Sequence, residues 1–112
     1  MPFAINGKIF DGPLYLGRDK LPALPGMALI CTEAGEGVKI MSVLWGDNLE
    51  EIITESPKND CWKRHASHGR VDVYAYTEEC TAREREEFCN KILERGREWM
   101  FCEDSVRIED DF

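Results

Sequence analysis

A chain of 112 residues, 43% hydrophobic and 32% charged, is the size of one ordinary domain, which excludes both a two-domain protein and a disordered tail. Its net charge of -8 excludes a surface that attracts nucleic acid or anionic lipid everywhere. No apolar run approaches the roughly 20 residues of a membrane span, and the Met1-Pro2-Phe3 start lacks a signal-peptide pattern, so no membrane contact and a cytoplasmic location are expected.

In chain order, Phe3-Ala4-Ile5 and Lys8-Ile9-Phe10 flank Asn6-Gly7, a pair suited to the positive φ angles of a tight hairpin turn. Residues 11–26 hold Pro13, Pro22 and Pro25 and read as turns and connector, with Leu14, Tyr15 and Leu16 covering an edge of the core. The apolar runs 27–32 and 38–45 predict an antiparallel hairpin at the centre of a sheet. Asp47 with Glu50 has the pattern of a helix N-cap and capping box, followed by Leu49, Ile52 and Ile53 on one helical face. Val71, Val73 and Ala75 alternate with Asp72, Tyr74 and Tyr76, the pattern of a third strand. Thr81 with Glu84 forms a second capping box. The stripe of Phe88, Cys89, Ile92, Leu93, Gly96, Trp99 and Met100 then fits a helix of about five turns.

The expected architecture is therefore α+β. A small three-stranded antiparallel sheet flanked by helices occupies residues 21–101. An N-terminal hairpin and connector at 1–20 adds to one edge, and an acidic tail follows at 102–112.

Charge is unevenly spread: residues 1–57 carry -4, residues 58–70 carry +3 and residues 71–112 carry -7. The basic island, Lys58 to Arg70, surrounds Trp62 with four cations and two histidines. Cations beside an aromatic ring can hold phosphates while the ring stacks on an unpaired base, which makes Trp62, Lys63, Arg64, His65, His68 and Arg70 the candidate nucleic-acid contacts. The alternative places Trp62 in the core and pairs the cations with surface carboxylates. If residues 60–68 are helical, Cys61, His65 and His68 also share one face and could ligate zinc. The five cysteines are odd in number and contain no Cys-x-x-Cys pair, so reduced thiols are the default, with Cys31 and Cys89 packed as small hydrophobes.

The order strand, strand, helix, basic segment, strand, helix over residues 21–95 resembles the GIY-YIG nuclease-like superfamily. Leu21-Pro22-Ala23-Leu24-Pro25-Gly26-Met27-Ala28-Leu29-Ile30 is similar to its proline-rich approach and first strand. Val43-Leu44-Trp45-Gly46-Asp47-Asn48-Leu49 is similar to its second strand and helix start, and Cys61-Trp62-Lys63-Arg64-His65 also resembles sequences of its bacterial branch. The resemblance implies a phosphodiester-hydrolysing site made of two tyrosines, an arginine and a metal-binding glutamate. Residue by residue, the tyrosines fall at Ala28 and Leu44 and the arginine at Ile52, while Glu86 or Glu87 matches the glutamate. Without the oriented groups that act as a unit, transition-state charge has no preplaced partner, so the resemblance implies a degenerate, catalytically inactive member.

Three readings follow. The first is a non-catalytic binding or interaction module with no cofactor, whose partner is a protein or a nucleic acid. The second is a magnesium-dependent endonuclease using Glu87 and residues 58–70. The third is a zinc or thiol-linked sensor through Cys61, His65 and His68. The oligomeric state is not encoded in any of these patterns.

Overall fold

Two apolar runs and one alternating segment commit the chain to a sheet, and the computed structural model shows that sheet and what covers it. Residues 3–5, 7–35, 37–96 and 102 are described. The strands are β1 (Phe3–Ile5), β2 (Lys8–Tyr15), β3 (Gly26–Ala34), β4 (Gly37–Gly46) and β5 (Asp72–Tyr76). The helices are α1 (Leu49–Thr54), α2 (Asn59–His65) and α3 (Ala82–Gly96), with a 3-10 turn at Ser67–Gly69. The sheet is five-stranded, in the order β1-β2-β5-β3-β4, and every pairing is antiparallel.

The expected α+β class holds, and the three-strand count is corrected to five. The hairpin β3–β4 and strand β5 form as the apolar runs and the alternation predict, but the hairpin is not central: β3 lies inside the sheet and β4 on its edge. The N-terminal ribbon does not stop at Phe10. Its second strand runs on through Asp11-Gly12-Pro13, read from sequence as a turn, and pairs with β5 from Asp11↔Ala75 to Tyr15↔Asp72. A bulge between Asp11 and Leu14 absorbs the proline, which has no N–H to give to a ladder. Gly12 makes this possible. Its φ is +153° and a Cβ there would lie 2.7 Å from the Val73 carbonyl oxygen, so only glycine lets β2 approach β5 so closely.

Alternation sorts the buried side chains into two clusters. Ala28, Ile30, Met41, Val73 and Ala75 face α1 and α2 together with Leu49, Ile53 and Trp62. Phe10, Met27, Leu29, Cys31, Val43 and Tyr74 face α3, where Cys89 and Ile92 meet them. Successive strand residues point to opposite faces, which is why one sheet serves two cores.

The helix starts illustrate local rules. At α3 the capping box forms as expected: the Thr81 N–H donates to Glu84 Oε1 at 2.7 Å and the Glu84 N–H donates to Thr81 Oγ1 at 3.1 Å. At α1 the cap is Asn48, which accepts from the Glu51 N–H at 3.1 Å, and not Asp47. Asp47 instead receives Arg85 Nη2 at 3.1 Å. The first amides of α1 are further satisfied by the connector, Leu49 N–H donating to Leu24 O and Glu50 N–H to Pro22 O, both at 3.0 Å. The α3 stripe is seen at Phe88, Cys89, Ile92 and Leu93, whereas Trp99, Met100 and the tail beyond Cys102 lie outside the described residues.

Candidate functional site

The positions where the nuclease resemblance calls for reactive groups converge, and they are apolar. Ala28 and Leu44 are directly opposed across the β3–β4 ladder, and Ala75 of β5 faces Ala28 from the other side. Ile52 projects from α1 toward the same region, packing with Leu44 against the cluster that holds Ala28, Leu49 and Ala75. Neither a phenol to orient water nor a guanidinium to hold a phosphate stands at these positions.

The basic island is divided by the fold. Trp62 is fully buried and its indole N–H donates to Ser42 Oγ at 2.8 Å. A ring that stacks on a base must show a face to solvent, so Trp62 is removed from the candidate nucleic-acid contacts and belongs to the core. Arg70 is committed too. Its Nε lies 3.0 Å from Asp72 Oδ1, and its guanidinium carbon is 4.0 Å from the Tyr15 ring centroid. Lys63, Arg64 and His65 are exposed on α2. Lys63 lines an open groove of about 510 Å³ that also carries Asp19, Glu50 and Glu55, so its surroundings are mixed in charge.

The zinc arrangement is corrected at two points. Ala66 has extended backbone, φ -76° and ψ 137°, so α2 stops at His65 and His68 belongs to the following 3-10 turn, not to a continuous helical face with Cys61. Cys61 is joined to Cys102 in a disulfide, with Cα atoms 5.8 Å apart, and a disulfide sulfur is no thiolate ligand. The default of reduced thiols holds for Cys31, Cys80 and Cys89 and fails for this pair. The side chain of His68 lies outside what is described. Among the described residues, no three of His, Cys, Asp and Glu converge on a point that could hold a metal ion.

Glu87 is on the exposed side of α3 and pairs with Arg83 at 3.1 Å. Because α3 packs on one face of the sheet and α2 on the other, Glu87 and the basic island are on opposite sides of the molecule.

The sequence patterns did not reveal the polar row at one end of the α3 face. Tyr15, Asp72 and Cys31 are consecutive cross-strand neighbours on β2, β5 and β3 and so share a face. Arg18 and Arg70 lie 3.9 and 4.0 Å from the Tyr15 ring centroid. Both guanidiniums are within cation–π distance of the one ring. Asp72, 2% exposed, is compensated by Arg70. Burial, reinforced by the nearby Asp72 charge, pushes the Cys31 thiol up to about 12, which keeps it protonated and inert. Burial also raises Tyr74, with Cys31 and Asp72 adding to the effect. The available signal was Arg70 and Asp72 two residues apart at the start of a strand, which places them on one face.

A second open groove, about 550 Å³, lies between β2 and the connector. Leu14, Leu21, Pro22, Ala23, Leu24 and Ala75 supply its apolar walls, with Asp11 and Lys20 among its lining.

The fold and this arrangement define an α+β protein with an apolar centre where the resemblance implies a catalytic one. No protein-family model matches the chain. No curated protein and no solved structure matches it either. No helix among the described residues is long and apolar enough to cross a membrane.

Proposed function

We propose that this protein is a non-catalytic interaction module on a scaffold resembling a degenerate GIY-YIG nuclease. The observation that carries the reading is the packing of Ala28, Leu44 and Ile52 into one apolar cluster. A phosphodiester in the transition state gains charge, and an aliphatic lining offers that charge nothing. A protein partner is favoured over nucleic acid. Trp62 faces inward, Arg70 is engaged by Asp72, and Lys63 shares its groove with three carboxylates.

The endonuclease reading needs Glu87 and the basic segment to act on one phosphate, and they are on opposite faces of the sheet. The zinc reading needs Cys61 as a thiolate, and it is in a disulfide.

The test is incubation of the pure chain with plasmid and branched DNA in magnesium and in manganese, beside a titration of DNA binding at two salt concentrations. The expected result is no cleavage above a Glu87→Ala control and no salt-sensitive binding. Cleavage that Glu87→Ala abolishes would overturn the reading in favour of the nuclease. Binding that weakens steeply with salt would replace the protein partner with a nucleic acid.

A further inference from the structure

The two ends of the disulfide are unequally placed. Cys102 is 5% exposed, sits in the cluster under α1 and α2, and donates its backbone N–H to the Met41 carbonyl at 3.3 Å. Met41 falls where the β3–β4 register shifts, between the pairs Ile30↔Ser42 and Cys31↔Ile40, so Cys102 docks on a bulge in the edge strand. Cys61 is only half-buried, on a helix whose next residues include exposed Lys63, Arg64 and His65. Arg64 and His65 follow Cys61 by three and four residues, which puts them one helical turn away.

The helix that carries Cys61 depends on its fasteners. It has seven residues and no side-chain hydrogen bond at its N-cap, and a helix of that length does not persist in water alone. What holds α2 is Trp62, bonded to Ser42, the Asn59 amide, which donates to Ile53 O and Ser56 O at 3.0 Å, and the disulfide. One covalent bond thus joins a marginal helix to Cys102, whose backbone N–H in turn reaches the bulge of the edge strand.

We propose that Cys61–Cys102 is a thiol–disulfide switch. Oxidised, it staples α2 to the β4 bulge; reduced by a dithiol, it releases Cys102 and lets α2 loosen from the sheet. The dithiol's thiolate attacks the Cys61 sulfur, the end that solvent reaches, and Cys102 departs as a thiolate that takes up a proton. The second thiol of the reductant then attacks the reductant's own sulfur in the mixed disulfide and expels Cys61 as a thiolate that takes up a proton. Two electrons pass to the protein, the reductant becomes a disulfide, and two thiols result. A disulfide oxidant reverses the sequence.

The experiment uses the full chain carrying Cys80→Ser, which removes the half-exposed free thiol. It is equilibrated in graded ratios of reduced and oxidised dithiothreitol. Alkylation and mass measurement count the thiols at Cys61 and Cys102, and amide hydrogen exchange follows residues 59–65. The expected result is joint appearance of both thiols in the folded chain, with amide exchange in α2 accelerated about tenfold or more while β3 and β5 keep their protection. Cys102→Ser is expected to show the same fast exchange under oxidising conditions; if that variant does not fold, the reduced chain supplies the measurement. Reduction that occurs only when the whole sheet unfolds, or reduction that leaves α2 exchange unchanged, would make the bond a permanent brace and overturn the proposal.

Discussion

The two faces of the sheet are covered by helices of very different self-sufficiency. On one face α3 runs for 15 residues, opens with a complete capping box and lays Phe88, Cys89, Ile92 and Leu93 onto Phe10, Met27 and Leu29. On the other, α1 and α2 have six and seven residues, and each is held by bonds to something else: the connector carbonyls for α1, Ser42 and Cys102 for α2. Helix nucleation is costly and is recovered only over several turns, so a short helix keeps its place through tertiary fasteners and a long one through its own stripe. The comparison teaches where this molecule can change shape with its sheet intact, and that is the side of α1 and α2.

The largest effect expected from breaking this arrangement is at its central fastener. Trp62→Ala removes a fully buried indole and leaves the Ser42 hydroxyl without its donor, and large-to-small changes of this kind cost about 3–5 kcal/mol. Phe10→Ala, at the buried ring of the opposite face, is expected to cost a similar amount. The two variants differ in local behaviour: only Trp62→Ala is expected to accelerate amide exchange in α2 relative to β5. Denaturant unfolding checks the first statement and hydrogen exchange the second.

Next in size is the covalent fastener. Joining residues 41 positions apart restricts the unfolded chain, and the double substitution Cys61→Ser with Cys102→Ser is expected to lower stability by about 2–4 kcal/mol. Adding reductant to the parent chain should produce a comparable loss, and adding it to the double variant none. A loss in the variant as well would mean that the reductant acts elsewhere.

Much of this was legible in the sequence because its signals are local. The alternation at 71–76, the apolar runs of β3 and β4, the Thr81–Glu84 box and the α3 stripe each specify an element without reference to the rest of the chain. The convergence of Ala28, Leu44 and Ile52 could be expected from the resemblance, since it depends only on the β3–β4 register and the start of α1. What was hidden is non-local. Pro13 reads as a chain breaker until Gly12 and a bulge let β2 continue along β5. The pairing of Cys61 with Cys102 follows from where α2 and the chain after α3 end up, which no spacing encodes. Trp62 in a basic segment reads as core or as contact until its depth is known, and that depth places it in the core. Asp47 loses the cap to Asn48 because α1 begins at Leu49, one residue later than a cap at Asp47 would start it, and Asp47 pairs with Arg85 of α3.

The smallest effect sharpens the comparison at the self-sufficient helix. Thr81→Ala removes a cap acceptor from the start of α3, a loss of about 1 kcal/mol. It leaves in place the larger hold on Glu84, whose carboxyl is kept below its ordinary 4.5 chiefly by the backbone N–H of residue 81 and after it by the Thr81 side chain. A carboxyl with a lowered folded-state value contributes stability above its unfolded value and loses it as pH falls through the folded one. The cap therefore strengthens α3 at neutral pH and fades below about pH 4.5. The difference in unfolding midpoint between the parent chain and Glu84→Gln, which keeps the residue-81 N–H and loses the carboxylate, should narrow on acidification. Asp19, lowered by the Tyr15 N–H and by Arg18, titrates in the same direction from 3.8 and is unchanged in the variant, so it cancels in the difference. A gap that stays constant from pH 7 to pH 3 would mean that Glu84 takes no part in the cap in solution, and that α3 rests on its apolar stripe alone.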